Sequence, residues 1–436
     1  MHPPSPARPA PWSLSCVTCA RAYADEGVRY RCDCGGVLEV RHDLARWVGR
    51  LSAAAFDARL SSKRAVDRSG VWRFRELIPP VEERFIVTRG EGATTLYPID
   101  ADSALARFAG AHHLWLKHEG ENPTGSFKDR GMTSGVSTAK RLGMATVACA
   151  STGNTSASMA SYAAIAGMRA IVFIPEGNIA FGKLSQALAY GARTVQIAGD
   201  FDAAMRLVEE VSVREGIYLL NSLNPFRLEG QKAIGFELLQ DLDWEPPDWI
   251  VVPGGNLGNN SAIYKGFSEL HCLGILKRMP RLAVIQASGA NPLYRAFRAG
   301  ASVVTPIEKA ETIATAIKIG NPVSAAKSVR AIKETRGVVE EVTDQETMDA
   351  KAMIDAAGVG AEPASCVTIA GLKKLTAAGT IKPEERVVCI LTGHVLKDPD
   401  ATAKYHRSEL TGFTTPHANA PVRCEATLDA VMRAIC

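Results

Sequence analysis

Glu121-Asn122-Pro123-Thr124-Gly125-Ser126-Phe127-Lys128-Asp129-Arg130 sets a lysine between a short apolar strand and a helix. Just before it, His113-Leu114-Trp115-Leu116-Lys117 alternates over a short run, the pattern of a strand. Pro123 and Gly125 then break regular structure, and residues 126–142 have helical composition with Ser126 in position to cap them. Lys128 is therefore expected in the first turn of a helix. The positive helix end there disfavours an ammonium and favours the neutral amine that a covalently bound carbonyl cofactor requires. A lysine taken alone is more often a solvated surface charge. Its neighbours decide between the two readings.

Outward from this stretch the chain alternates strand and helix. Residues 145–150, 169–174, 194–197, 217–220, 249–253, 282–286, 338–342 and 386–391 read as strands, most of them continuous apolar runs. Such runs suit parallel strands covered on both faces by helices. Helical segments lie between them, at 155–166, 201–214, 228–239 and 345–357. The expected architecture is doubly wound α/β, with no internal repeat.

With 436 residues and 46% hydrophobic composition the chain can bury a large core in two or three domains. Its net charge of +4 comes from 50 basic and 46 acidic residues scattered in both signs, which gives nucleic-acid binding no support. No apolar run reaches membrane-spanning length, and the opening Met1-His2-Pro3-Pro4-Ser5-Pro6 lacks the features of a secretory leader. A cytoplasmic protein with a small-molecule substrate, no nucleic acid and no membrane is expected.

Four of the ten cysteines stand apart, as Cys16-x-x-Cys19 followed by Cys32-Asp33-Cys34-Gly35-Gly36. Two close pairs resemble a zinc ribbon, because each pair can point two thiolates at one metal. The second pair has one intervening residue where the usual knuckle has two, so a ribbon that folds without metal stays open beside a zinc site. The other six, including Cys149, Cys272, Cys366 and Cys389, read as small buried hydrophobes, and no disulfide framework is expected.

The stretch Ser126 to Arg130, after Asn122-Pro123-Thr124-Gly125, resembles the pyridoxal phosphate (PLP) lysine segment of the threonine synthases. These belong to the fold type II, tryptophan synthase β-like, PLP enzymes. The likeness runs in order from about Trp72 to the C-terminus. It takes in Trp72-Arg73-Phe74-Arg75-Glu76-Leu77-Ile78-Pro79 and Gly90-Glu91-Gly92-Ala93-Thr94-Thr95-Leu96, where family members usually have Thr-Pro-Leu at the end. It implies two doubly wound α/β domains with PLP at their interface. Residues 1–45 form a Cys-rich, zinc-ribbon-like extension, 46–132 and 221–436 the large PLP-binding domain, and 133–220 a small inserted domain. A homodimer is expected.

The resemblance also assigns residues. Gly254-Gly255-Asn256-Leu257-Gly258-Asn259-Asn260 follows a strand and opens a helix near Ser261. Glycines let N–H groups turn inward around an anion, although an ordinary strand-to-helix turn looks the same. The match to the family's phosphate loop places Gly254, Gly255, Asn256, Leu257, Gly258 and Asn259 on the cofactor phosphate. Within Ala150-Ser151-Thr152-Gly153-Asn154-Thr155-Ser156, Asn154 matches the residue beside the PLP O3′, and Ser151, Thr152 and Thr155 are substrate candidates. A helix cap at Asn154 or Thr155 is the alternative. Thr392, in Leu391-Thr392-Gly393-His394, matches the residue facing the ring nitrogen, with His394 in a supporting role.

Asn221, Ser222 and Arg227 resemble the residues around the substrate phosphate, and a guanidinium fork suits a phosphate dianion. A surface ion pair is the plain reading of Arg227. Gly177 to Leu184 nearly fits a nucleotide P-loop, but Leu184 stands where Ser or Thr must ligate Mg²⁺, so Lys183 is placed near the substrate phosphate instead. Activity implied by the resemblance is conversion of O-phospho-L-homoserine and water to L-threonine and phosphate by a PLP-dependent carbon–oxygen lyase, with Lys128 as the catalytic base. Rival readings are a cysteate synthase using O-phosphoserine and sulfite, a Ser/Thr dehydratase, and a non-catalytic zinc-ribbon binding protein.

Overall fold

The strand Trp249–Pro253 is buried at every position because it has parallel neighbours on both sides, Arg281–Ala287 and Arg386–Leu391. Its side chains alternate between two cores. Ile250 and Val252 join one apolar cluster with Leu282 and Val284, while Trp249 and Val251 join another with Ala283 and Ile285. Both sheet faces are thus covered, which is why the strand reads as a continuous apolar run. A computed structural model describes residues 11–24, 27–175, 181–198 and 201–435.

Six strands form the larger sheet, in the order Val338–Val342, Arg281–Ala287, Trp249–Pro253, Arg386–Leu391, His113–His118, Leu96–Ile99. All pairings are parallel except the last. That antiparallel edge strand escaped the sequence reading. It is only partly buried, and it tolerates Pro98 because an edge position leaves a missing N–H without consequence. A second, wholly parallel sheet of four strands has the order Arg193–Ile197, Arg169–Pro175, Thr146–Ala150, Tyr218–Leu219. The α/β expectation holds in both sheets. Among the described residues no helix is long and apolar enough to cross a membrane.

At the N-terminus, Ala22–Tyr23, Trp12–Cys16 and Leu38–His42 make a three-stranded antiparallel sheet. It is docked on the body: Trp12, Leu14, Leu38 and Val40 share a core with Met132, Val136 and Phe226. Trp12 meets Phe226 edge to face at 5.3 Å. His42 Nε2 lies 2.6 Å from the Glu229 carboxylate.

Several expected boundaries move for identifiable reasons. The helix after the opening stretch is Lys128–Arg141, with Phe127 at its N-cap and no side-chain cap bond. Ser126 does not cap it, because its backbone is engaged in a bridge to Gly393. Asn154 begins its helix without capping it, since Gly153 is the N-cap. The single helix expected at 228–239 is two, Pro225–Gln231 and Ala233–Asp241. The first starts early because Asn224 caps it, accepting from Phe226 N at 3.0 Å. Cys272 and Cys424 are exposed, unlike the buried Cys149, Cys366 and Cys389; Cys272 falls on the solvent side of the last turn of helix Gly258–Cys272.

One charged network ties these elements together. Glu237 accepts from Arg73 Nη2 (3.0 Å), Lys117 Nζ (2.8 Å) and Arg130 Nη2 (2.7 Å), and from the N–H groups of Ala93 (2.8 Å) and Thr94 (3.1 Å). Glu119 takes Arg130 Nη2 at 2.6 Å and Nε at 2.7 Å, while Asp241 takes Lys117 at 2.6 Å. Three cations face three carboxylates, and Arg130 and Lys117 are fully buried. Removing one member leaves unpaired buried charge, which costs about 3–5 kcal/mol. Glu237→Ala is expected to lose stability of that order, read from the denaturant midpoint at unchanged slope. A loss below about 1 kcal/mol, the size of a surface pair, would show that water or rearrangement replaces the carboxylate.

Candidate active site

The turn that carries Lys128 is pinned to the end of the strand Arg386–Leu391. Phe127 N donates to Thr392 O (3.0 Å), His394 N donates to Gly125 O (3.0 Å), and Ser126 bridges Gly393. Gly125 has a φ of +84°, and a side chain there would meet Lys397 Cε at 2.8 Å, so the position needs glycine. On its other side the turn is closed by Asp129, which accepts from Thr124 N at 2.7 Å and Thr124 Oγ1 at 2.6 Å. Burial raises the Asp129 pKa to about 6 in spite of these bonds.

This pinning puts Lys128 and Thr392 in one cavity of about 1570 Å³. Gly255, Asn256, Leu257, Gly258 and Asn259 line it, as do Ser151, Thr152, Asn154, Thr155, Asn221, Ser222 and Arg227. Gly254 does not. It packs behind the loop, where its N–H donates to Ile285 O (2.6 Å) and a side chain would meet Val284 and Gln286 at 2.8 Å. Lys183 lies in the helix Phe181–Ala189, and its side chain falls outside the described residues. Cys16, Cys19, Cys32 and Cys34 come together in the N-terminal sheet, away from the lining of this cavity.

Lys128 is enclosed by protein, with part of its side chain open to the cavity. Burial first, and then the charge of Arg227, bring its pKa down to about 7 against the opposing pull of Glu362. The amine is therefore about half neutral at pH 7. Its ammonium form keeps a contact with the Phe127 ring at 4.5 Å. Arg227 is buried as well. Its Nη1 donates to Leu220 O at 2.9 Å, while Nε and Nη2 have no hydrogen-bond partner. Burial lowers its pKa to about 10. This is not the surface ion pair that the plain reading allowed. A buried fork with free donors costs free energy until an anion meets it.

The glycine loop offers a second set of donors. The helix Gly258–Cys272 opens at the loop itself, three residues earlier than Ser261, because Leu257 adopts a left-handed φ of +60° and turns the chain into the helix. First-turn N–H groups have no acceptor inside their helix and suit an anion. Beside them both polar atoms of the Asn259 side chain are buried without a partner. Asn256 is occupied differently: its Oδ1 accepts from Val323 N at 3.3 Å and holds the facing wall. Asn221, expected as a substrate donor, has both amide atoms committed to the peptide groups of Ala150, each at 3.1 Å. It clamps the Ser151 turn in place.

Glu362 was not singled out from the sequence. It is buried in the cavity wall, where Asn154 Nδ2 donates to it at 3.1 Å and Thr392 Oγ1 lies 3.4 Å away. It thus joins the two residues assigned to the phenolic oxygen and the ring nitrogen of the cofactor. Burial raises its pKa, and the bond from Asn154 and the charges of Lys397 and Lys128 oppose that. Gly393 leaves room for it, since a side chain there would meet the Glu362 carboxyl at 2.4 Å. The only sequence signal was Glu362-Pro363 at a helix start, which is common. The residues present fit PLP: a half-neutral lysine, free donors at a helix start, and polar groups at the far wall.

Residues 87–393 match the family model described as pyridoxal-phosphate dependent enzyme. The threonine synthase of Methanosarcina acetivorans is 46% identical over 97% of this chain and 98% of its own length. That of Methanocaldococcus jannaschii is 48% identical over 89% of this chain and 94% of its own. Among solved structures, the threonine synthase of Escherichia coli superposes with a TM-score of 0.65 over 97% of this chain and 94% of that one, at 18% identity, a likeness of fold.

The depressed pKa of Lys128 has a kinetic consequence. With the cofactor stripped, capture of added PLP should accelerate about tenfold per pH unit up to about pH 7 and level off above it, as the neutral amine accumulates. Replacing Arg227 by Gln removes a neighbouring positive charge and should move that midpoint upward. A rate that keeps climbing to pH 10 would mean that Lys128 keeps an ordinary lysine pKa.

Proposed function

The chain belongs to the pyridoxal-phosphate dependent enzyme family and, within it, to the threonine synthases, and from that premise we infer that it converts O-phospho-L-homoserine and water to L-threonine and phosphate. The observation that carries the choice of substrate is the pair of unpartnered donors on buried Arg227, in the same cavity as Lys128. A substrate whose leaving group is a phosphate dianion satisfies both donors at once.

When bound, PLP supplies an aldehyde that condenses with amino groups and a ring that draws electrons from the substrate's α-carbon. Gly255 to Asn259 hold its phosphate at the helix start, Asn154 its phenolic edge and Thr392 its ring nitrogen. A neutral hydroxyl at the nitrogen does not enforce a ring proton, which leaves Lys128 and the substrate contacts to steer the reaction. Lys128 Nζ takes the Cα proton, moves protons at Cβ and Cγ while the Cγ–O bond to phosphate breaks, and reprotonates Cα after water adds at Cβ. Arg227 holds the phosphate group before and after it leaves. Ser151, Thr152 and Thr155 receive the amino acid's carboxylate, on a turn that Asn221 fixes. Ser222 adds a neutral donor near the phosphate.

The reading includes a cytoplasmic homodimer. Exposed Leu428, Met432 and Ile435 on the C-terminal helix are the feature that supports self-association, which light scattering tests.

Phosphate release with product identification is the direct assay. O-phosphohomoserine should give threonine, and O-phosphoserine, whose side chain is one methylene shorter, should release little phosphate. Arg227→Ala should lower kcat/KM by roughly thirty- to several-thousand-fold, from the roughly 2–5 kcal/mol carried by one partner of a charge-assisted pair. PLP content should not change. An unaltered kcat/KM would mean that Arg227 does not hold the substrate phosphate, and loss of PLP in step with activity would mean that the two phosphate sites are exchanged.

A further inference from the structure

We propose that Cys16, Cys19, Cys32 and Cys34 hold one zinc ion, and that this centre anchors the substrate side of the cavity through Tyr30 and Arg31. The four sulfurs lie within 4.8 Å of one another. Cys16 and Cys34 are 3.6 Å apart, and Cys19 is 3.5 Å from both Cys32 and Cys34. A tetrahedron with zinc–sulfur arms of about 2.3 Å has edges of about 3.8 Å. A disulfide needs about 2.05 Å, and all four cysteines are free.

The surroundings are those of thiolates. Thr18 N and Cys19 N point at Cys16 Sγ, at 3.3 and 3.5 Å, and Tyr23 Oη lies 3.0 Å from Cys32 Sγ. Donors of this kind orient metal ligands and stabilise their charge. The short spacing of the second pair is accommodated by its turn. Gly35 N donates to Cys32 O at 2.8 Å and Cys32 N to Gly36 O at 2.9 Å, with Gly35 at a φ of +81°. A side chain at Gly36 would stand 2.7 Å from Cys16 Sγ, so only glycine lets the two knuckles face each other. Asp33 is kept outside the cluster by Arg21 (2.8 Å) and Arg29 (2.7 Å).

Tyr30 and Arg31 immediately precede the second knuckle. Leu219 N donates to Tyr30 Oη at 2.6 Å, and the Tyr30 ring packs on Tyr218 at 6.0 Å. Leu220, the next residue along, accepts the one satisfied donor of Arg227, and Arg31 itself lines the cavity. A metal that fixes Cys32 and Cys34 thereby fixes a support beneath Arg227. The metal site stands on its own geometry; the anchoring role rests on the reading of this cavity as the substrate site.

Metal analysis of the full-length holoenzyme should give one zinc per chain, and Cys32→Ser with Cys34→Ser should abolish it. Cobalt exchanged into the wild type should show the intense visible absorption of a tetrahedral thiolate centre. Chelation of zinc should raise KM for O-phosphohomoserine about ten- to hundredfold, the usual effect of losing an outer positioning partner, with PLP content unchanged. Tyr30→Phe should retain zinc and shift KM in the same direction. Protein purified free of zinc from zinc-supplemented growth would overturn the site. Zinc present with KM indifferent to its removal would overturn the anchoring. If the chain does not act on O-phosphohomoserine at all, the assigned reaction and with it the anchoring role fall, while zinc stoichiometry and the cobalt spectrum still decide the metal site.

Discussion

Glu237 holds three buried cations, and the position of Lys128 depends on that hold. Arg130 follows Lys128 by two residues on the same first turn, so its side chain points away from the cavity and into the body. There Glu119 and Glu237 fix it from two elements, one at the end of strand His113–His118 and the other on helix Ala233–Asp241. The turn between strand and helix cannot shift unless this pairing breaks. Its other side is stitched to Thr392 and Gly393, so the reactive amine is held relative to two strands of one sheet. Precision at Nζ comes from groups that never touch the chemistry.

The cavity is built differently. Among the described residues Lys128 and Arg227 line it without an ion pair, and the charge of Glu362 acts on Lys128 from the cavity wall. Burial lowers both cations' pKa values. For Lys128 this brings the pKa down to about 7, which suits the proposed nucleophile and base. For Arg227, which stays protonated, it leaves unmet hydrogen-bonding capacity that a dianion meets. One desolvated cleft therefore serves two ends, because lysine can shed its charge and arginine cannot.

Much of this was legible in the sequence for physical reasons. Strands buried on both faces must be continuously apolar, so Trp249–Pro253 and Arg386–Leu391 announced the parallel sheet. Lys128, Arg227 and the loop after Pro253 could be singled out because a covalent cofactor and a phosphate suit particular residue types at strand-to-helix corners, and the structure brings them to one cavity. Other features depend on who the neighbour is, which spacing does not encode. Asn221 looks like a donor to substrate until Ala150 is seen to occupy it, and Gly254 looks like part of the anion loop until Val284 and Gln286 are seen behind it. Glu362 was invisible for the same reason, since a carboxylate before a proline is unremarkable without Asn154 and Thr392 beside it. Ser126 failed as a cap because a bridge across the sheet outranked a local hydrogen bond.

The N-terminal sheet extends this argument from residues to architecture. Read alone, Cys16 to Cys34 suggests a separate module on a tether, yet Trp12, Leu38 and Val40 share the core of the helix that begins at Lys128. His42 and Lys232 meet the same carboxylate oxygen of Glu229, on the helix that also carries Arg227. That helix is then supported at its Glu229 face by the extension and at its Arg227 face by Leu220, whose neighbour Leu219 rests on Tyr30. The N-terminal extension thus supports the helix that carries Arg227 at two points. Arg227 Nη1 is held by Leu220 O while Nε and Nη2 have no partner, so support of this helix fixes the side chain in the cavity wall.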